Sequence, residues 1–147
     1  MKKLGYLLSN ASVINEGAIK NLDVLIEGEF ITWVGQVGSY TGKCDFEVID
    51  CSGKWVLPGM IDDQVHFREP GLTHKADIES ESIAAVAGGI TSFMEMPNTV
   101  PQTLTQELLE MKYQRASEVS VANYSFYMGA SNDNLEEILK TDATKVC

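Results

Sequence analysis

The run Pro58-Gly59-Met60-Ile61-Asp62-Asp63-Gln64-Val65-His66-Phe67-Arg68-Glu69-Pro70-Gly71 decides the fold. Its apolar residues lead as a strand into Gln64-Val65-His66-Phe67, and Glu69-Pro70-Gly71 ends it with a turn signal. Period two puts the polar residues Gln64, His66 and Arg68 on one side of that strand. Helix and strand then alternate. Asp77 to Ala87 fits a helix with Ile78, Ile83, Val86 and Ala87 on one broad face and Gly88-Gly89 as its stop. Ile90 to Met96 reads as a second strand. Thr103-Leu104-Thr105-Gln106 has capping-box spacing, and Leu104, Leu108 and Met111 give the stripe of a second helix. Val121 to Met128 is a third strand, and Asn132 or Asn134 caps a short helix carrying Leu135, Ile138 and Leu139. Such alternation implies parallel strands with right-handed crossovers.

Upstream the pattern is different. From Tyr6 to about Val56 short strands are separated by turns, with no helical stripe. Asn15-Glu16-Gly17 and Glu27-Gly28-Glu29 mark two reversals, and Gly28 joins a hairpin to Phe30-Ile31-Thr32-Trp33-Val34. Phe46-Glu47-Val48-Ile49 is a further strand before Asp50-Cys51-Ser52-Gly53. The expected organisation is α/β: residues 1–56 form a small β-sheet or sandwich, and residues 57–147 form three βα units. A closed (β/α)8 barrel needs eight units and about 250 residues. The reading is therefore the incomplete front portion of a larger protein.

Composition bounds the function. Hydrophobic residues are 44% of the 147 and charged residues 22%, which suits a globular chain and not a disordered tail. Eleven Lys and Arg against 21 Asp and Glu leave a net charge of −10, which disfavours nucleic acid and anionic membrane surfaces as partners. No apolar run approaches the roughly 20 residues of a membrane span. The start MKKLGYLLSN is too short in apolar residues for a signal-peptide core, and the expected location is cytoplasmic. Cys44, Cys51 and Cys147 lack CxxC spacing and read as free thiols, not as a zinc cluster.

Taken singly, the polar residues of the central run are bland. A lone strand histidine such as His66 is usually structural, Arg68 alone reads as a surface or ion-pair residue, and Asn98 after Pro97 reads as the start of a turn. Met94 and Met96 read as core. Position adds weight, because the C-terminal ends of parallel strands are where barrel enzymes carry their sites.

Together the blocks are specific. Pro58-Gly59-Met60-Ile61-Asp62, then Val65-His66-Phe67-Arg68-Glu69-Pro70-Gly71, Ala87-Gly88-Gly89-Ile90-Thr91 and Met96-Pro97-Asn98-Thr99 resemble dihydroorotases of the amidohydrolase superfamily. The β-rich start resembles the small sandwich domain that precedes the barrel in that family. The resemblance covers nearly the whole chain but only about the first third of a family member. It implies zinc-dependent, reversible hydrolysis of the cyclic amide of dihydroorotate to N-carbamoyl-aspartate, in pyrimidine synthesis, with one or two zinc ions. It also implies a homodimer as the complete protein, with aspartate transcarbamoylase as a possible associate.

By the same resemblance, His66 matches the second histidine of a zinc-binding His-x-His pair. Arg68 and Asn98 match the residues that hold the substrate carboxylate, which favours dihydroorotase over hydantoinases. The first histidine of the pair falls on Gln64, a departure, since a neutral carboxamide is a much weaker zinc ligand than imidazole. Either one metal is held differently or a metal is lost. Asp62 either orients backbone or contacts His66 from behind; His74, Lys75 and Asp77 read as loop and helix-start residues. The remaining ligands and the general base are expected outside these residues, so the chain alone is expected to be inactive. Two rivals stand beside this: a non-catalytic scaffold partnering aspartate transcarbamoylase, which Gln64 motivates, and another cyclic amidohydrolase such as allantoinase.

Overall fold

A computed structural model describes residues 5–42 and 45–147; Cys44 and the first four residues, both used above, lie outside the described residues. The chain divides into two compact units, Met1–Pro58 and Gly59–Cys147.

The described strands of the first unit belong to one five-stranded sheet. Its strands are β1 (Gly5–Asn15), β2 (Ala18–Glu27), β3 (Phe30–Gln36), β4 (Phe46–Asp50) and β5 (Trp55–Val56). The order is β3-β2-β1-β4, and β5 also pairs with β1. Both expected reversals are present: Asn15 faces Ala18 and Glu27 faces Phe30 across antiparallel hairpins. Gly28, at φ 62°, adopts the left-handed backbone that the second reversal requires. Asp23 is buried, and its two carboxylate oxygens accept from the Asn10 and Gly38 amides at 2.7 and 2.8 Å. Trp55 and Val56 pair with Ser12 and Val13 in this sheet instead of leading into the second unit.

The second unit is a three-stranded parallel sheet, β6 (Met60–Val65), β7 (Ile90–Glu95) and β8 (Asn123–Phe126), in that order. Helices α1 (Ile78–Ala87) and α2 (Gln106–Val119) connect the strands, and α3 (Leu135–Lys140) follows. The core gathers Val65, Phe67, Ile78, Phe93, Leu109, Ala116, Ala122 and Phe126. Phe67 and Phe93 pack with ring centroids 4.5 Å apart.

Four details depart from the expected pattern. The buried residues of α1 are Ile78 and Ser82, while Ile83 and Val86 are exposed. Small residues let the helix approach closely, and Ser82 Oγ accepts from the Val121 amide at 3.3 Å. The buried residues of α2 are Leu109, Lys112 and Ala116, not the Leu104, Leu108, Met111 stripe. That face turns because a lysine, not a leucine, has a partner inside. The cap of α2 is Thr105, whose Oγ1 accepts from the Leu108 amide at 3.2 Å, and Thr103 is buried in the preceding loop. At α3, Asn134 occupies the cap position without a capping bond; its carboxamide ties Ser131, Leu104 and Gly129 together. Cys51 is buried and Cys147 exposed, both free thiols. No helix among the described residues is long and apolar enough to cross a membrane.

Candidate functional site

The site is built where β6 and β7 end side by side. The Met96 amide donates to the Val65 carbonyl at 3.0 Å, carrying the ladder one residue past the end of β7. Across the end of β6, burial alternates: Gln64 and His66 are exposed while Val65 and Phe67 are buried. The apolar pair anchors the strand end in the core and leaves the polar pair outside it. Just beyond β7, Pro97-Asn98 turns away, and Asn98 is exposed.

These two strand ends meet through side chains. His66 Nδ1 lies 2.9 Å from Asn98 Oδ1. A carboxamide oxygen only accepts, so with Oδ1 facing it Nδ1 carries the proton, and in the uncharged form of the ring this pairing puts the lone pair on Nε2. That is the tautomer a metal-binding or proton-accepting histidine needs. Of the sequence-predicted residues, His66 and Asn98 are thus in direct contact.

Arg68 sits differently from a simple extension of the strand. Its backbone is left-handed, at φ 74°, so the period-two alternation of Gln64 and His66 does not run on through it. Its amide donates to Glu95 Oε1 at 3.0 Å. Gln64 is exposed, and its amide donates to Asp62 Oδ1 at 3.1 Å, giving Asp62 a backbone-orienting role.

Beneath the strand ends lies a charged pair that the sequence reading missed. Glu95 is fully buried, and Lys112 Nζ lies 2.8 Å from its Oε2. At that separation the two opposite charges are in direct contact. Lys112 also lies over the Phe126 ring, 4.9 Å from its centroid, and reaches the Met96 carbonyl at 3.5 Å. Burial pushes the Glu95 carboxyl up, with the Lys112 charge and the Arg68 and Phe67 amides pulling it down. Burial likewise pushes the Lys112 ammonium down, opposed by Glu95. A signal was present in the sequence: Glu95 shares the face of Phe93 by period two, and Lys112 follows Leu108 by four, so opposite charges fall on elements that must pack together.

The loop after β6 is fastened to both helices. Glu69 Oε2 accepts from the Ile78 amide at 3.0 Å, and Oε1 from Arg115 Nε at 2.8 Å. A carboxylate at the first turn of α1 also faces the positive end of the helix dipole. The Val100 amide donates to the Pro70 carbonyl at 3.1 Å, joining this loop to the one that carries Asn98. From β8, Tyr127 Oη donates to the Asp63 carbonyl at 2.9 Å. Beside Asn98 lies a depression of about 190 Å³ lined by Pro97, Asn98, Gln102, Leu104, Gly129 and Ala130.

The metal question has a plain structural answer. Among the described residues, no three His, Cys, Asp or Glu side chains converge to hold a metal ion. His66 offers one imidazole and Gln64 a neutral amide, so the residues present do not fit a zinc site by themselves.

A family model described as dihydro-orotase-like matches residues 53–146. The dihydroorotase of Carboxydothermus hydrogenoformans is 46% identical over 100 residues, 67% of this chain and 23% of the relative. That of Lactobacillus acidophilus is 37% identical over 133 residues, 90% of this chain and 30% of the relative. Among solved structures, the L-hydantoinase (dihydropyrimidinase) of Arthrobacter aurescens superposes with a TM-score of 0.83 at 28% identity, over 95% of this chain and 30% of that one. The chain therefore spans under a third of the length of these relatives.

Proposed function

Because the chain belongs to the dihydro-orotase-like family, we propose that it forms the opening part of a hydrolase acting on the cyclic amide of dihydroorotate. In this reading the three parallel strands and their helices begin a (β/α)8 barrel, and the β-rich unit is part of a small sandwich domain. Parallel pairing throughout β6-β7-β8 and the likeness to a solved hydantoinase support it.

The observation that carries the proposal is the contact of His66 with Asn98 at the ends of adjacent parallel strands, with Arg68 two residues further on. The Arg68 guanidinium gives a ring carboxylate two parallel hydrogen bonds, and Asn98 Nδ2, free to donate while Oδ1 accepts from His66, adds a third. Held this way, the ring presents its amide carbonyl beside the His66 ring. Hydrolysis adds water across the ring C–N bond: hydroxyl goes to the carbonyl carbon and a proton to the departing nitrogen, giving N-carbamoyl-aspartate. Zinc, one or two ions, is part of this proposal, with His66 as the ligand this chain contributes and all others outside these residues. No step is assigned to it here, because the residues present do not complete its site.

The experiment uses the polypeptide encoded by the native gene. It is expected to hydrolyse dihydroorotate, and Arg68→Lys is expected to lower kcat/KM by about tenfold to a hundredfold, the worth of one charge-assisted hydrogen bond. No hydrolysis by the native product, or an unaffected Arg68→Lys, contradicts the proposal. Gln64 supports one rival, a metal-free scaffold beside aspartate transcarbamoylase. A natively folded, inactive gene product without bound zinc would favour it.

A further inference from the structure

The buried pair Glu95–Lys112 has no part in the chemistry described so far, yet it lies directly under the strand end that carries His66 and Arg68. Burying two charges between a sheet and a helix is rarely the most stable choice; an apolar pair of similar volume often does as well or better. The arrangement therefore calls for a reason other than packing.

The geometry supplies one. Glu95 spends its two oxygens on different tasks: Oε2 faces the Lys112 ammonium at 2.8 Å, and Oε1 accepts the Arg68 amide at 3.0 Å. Arg68, three residues past the end of β6, has a left-handed backbone with φ 74°. An arginine in the left-handed region is strained by about 1 kcal/mol or more and persists only when its surroundings hold it there. One neighbour, Phe67, is locked against Phe93 at 4.5 Å. The other, Glu69, is held by Arg115 and the start of α1. Between them, Arg68's own backbone is held at two points: its amide by the Glu95 carboxylate and its carbonyl by the Leu72 amide at 3.1 Å, and only the first is a side chain. Lys112 Nζ sits 2.8 Å from the other oxygen of that carboxylate, and its reach to the Met96 carbonyl ties the same pair to the segment leading to Asn98.

We propose that Glu95, through the oxygen that accepts the Arg68 amide, is a positioning residue that fixes the left-handed backbone of Arg68 and so sets where its guanidinium meets the substrate carboxylate. This rests on the reading of Arg68 as the carboxylate clamp. The pair acts from below the sheet and touches no substrate atom.

Two double variants of the native gene product separate positioning from packing. Glu95→Leu with Lys112→Met removes both charges and the acceptor without stranding either partner. Glu95→Gln with Lys112→Met also removes both charges but keeps an oxygen for the Arg68 amide. Two readouts apply: KM for dihydroorotate against KM for dihydrouracil, the same ring without the carboxylate, and hydrogen exchange at the Arg68 amide. The Leu/Met variant is expected to raise KM for dihydroorotate about tenfold, leave dihydrouracil unchanged, and speed exchange at Arg68 at least about tenfold. The Gln/Met variant is expected to restore most of both. Unchanged KM and exchange in the Leu/Met variant, or parallel losses for both substrates, would overturn the proposal. If the parent protein does not act on dihydroorotate, the function reading fails, and the Arg68 exchange rate still decides whether Glu95 holds that backbone.

Discussion

An imidazole nitrogen 2.9 Å from a carboxamide oxygen leaves little freedom at the scale of the single residue. The contact with Asn98 orients the His66 ring, which no reading of either residue alone could state. The same scale explains Gly71. Its φ is 81°, and a β-carbon there would collide with the Val100 carbonyl, in the stretch where the two loops join. Gly71→Ala is expected to destabilise the native gene product by about 1–3 kcal/mol, the cost of a strained backbone, read as a lowered melting temperature. An unchanged melting temperature would show that the loops part easily. His66, Arg68 and Asn98 were legible in the sequence as types and positions. Their contacts were not, because strand alternation says which side a residue takes and not which neighbour it meets. Arg68 shows the limit: alternation stops at its left-handed backbone.

At the scale of elements, strands and helices follow their sequence signals closely, whereas the faces they present do not. The α2 stripe read from Leu104, Leu108 and Met111 is rotated in the folded chain because Lys112 faces inward to Glu95. A hydrophobic pattern cannot anticipate a charge that is buried because its partner is buried too. Lys112→Met alone should therefore cost about 3–5 kcal/mol, because it strands a buried carboxylate. The pH dependence has a defined sign. Burial raises the Glu95 pKa above its ordinary 4.5, so the carboxyl is harder to ionise in the folded chain than in the unfolded one. Without Lys112 that difference grows, and stability is present below about pH 4.5 and lost as pH rises through the folded-state value. Melting of Lys112→Met should accordingly be closer to the parent at pH 4.5 than at pH 7; the reverse order would mean that the carboxylate finds another partner. Asp77 has the opposite sign. The Ser80 amide, then its hydroxyl, hold its carboxyl below 3.8, so its support of α1 is present above that pH and fades as pH falls below it.

At the scale of the whole molecule, the second unit leaves both outer strands unsatisfied: among the described residues, β6 and β8 each pair only with β7. Met60, Ile61 and Val121 are exposed at 57%, 64% and 59%. Open strand edges beside exposed apolar side chains are sites of association. Residues 1–147 produced alone should self-associate, as light scattering would report. A monomer that melts cooperatively would contradict this and would mean that the unit stabilises itself. The three βα units were legible from periodicity. The sheet that receives Trp55 and Val56 was not, because a two-residue strand has no period to read.

The account turns on a carboxylate being recognised at the paired ends of β6 and β7. The most direct measurement is a crystal structure of the native gene product with dihydroorotate or N-carbamoyl-aspartate bound. The prediction is that the carboxylate dihydroorotate already carries on its ring, which is the α-carboxylate of N-carbamoyl-aspartate, lies within hydrogen-bond distance of both the Arg68 guanidinium and the Asn98 carboxamide, with the His66 ring alongside. A ligand bound elsewhere, or one whose carboxylate meets neither side chain, would contradict it.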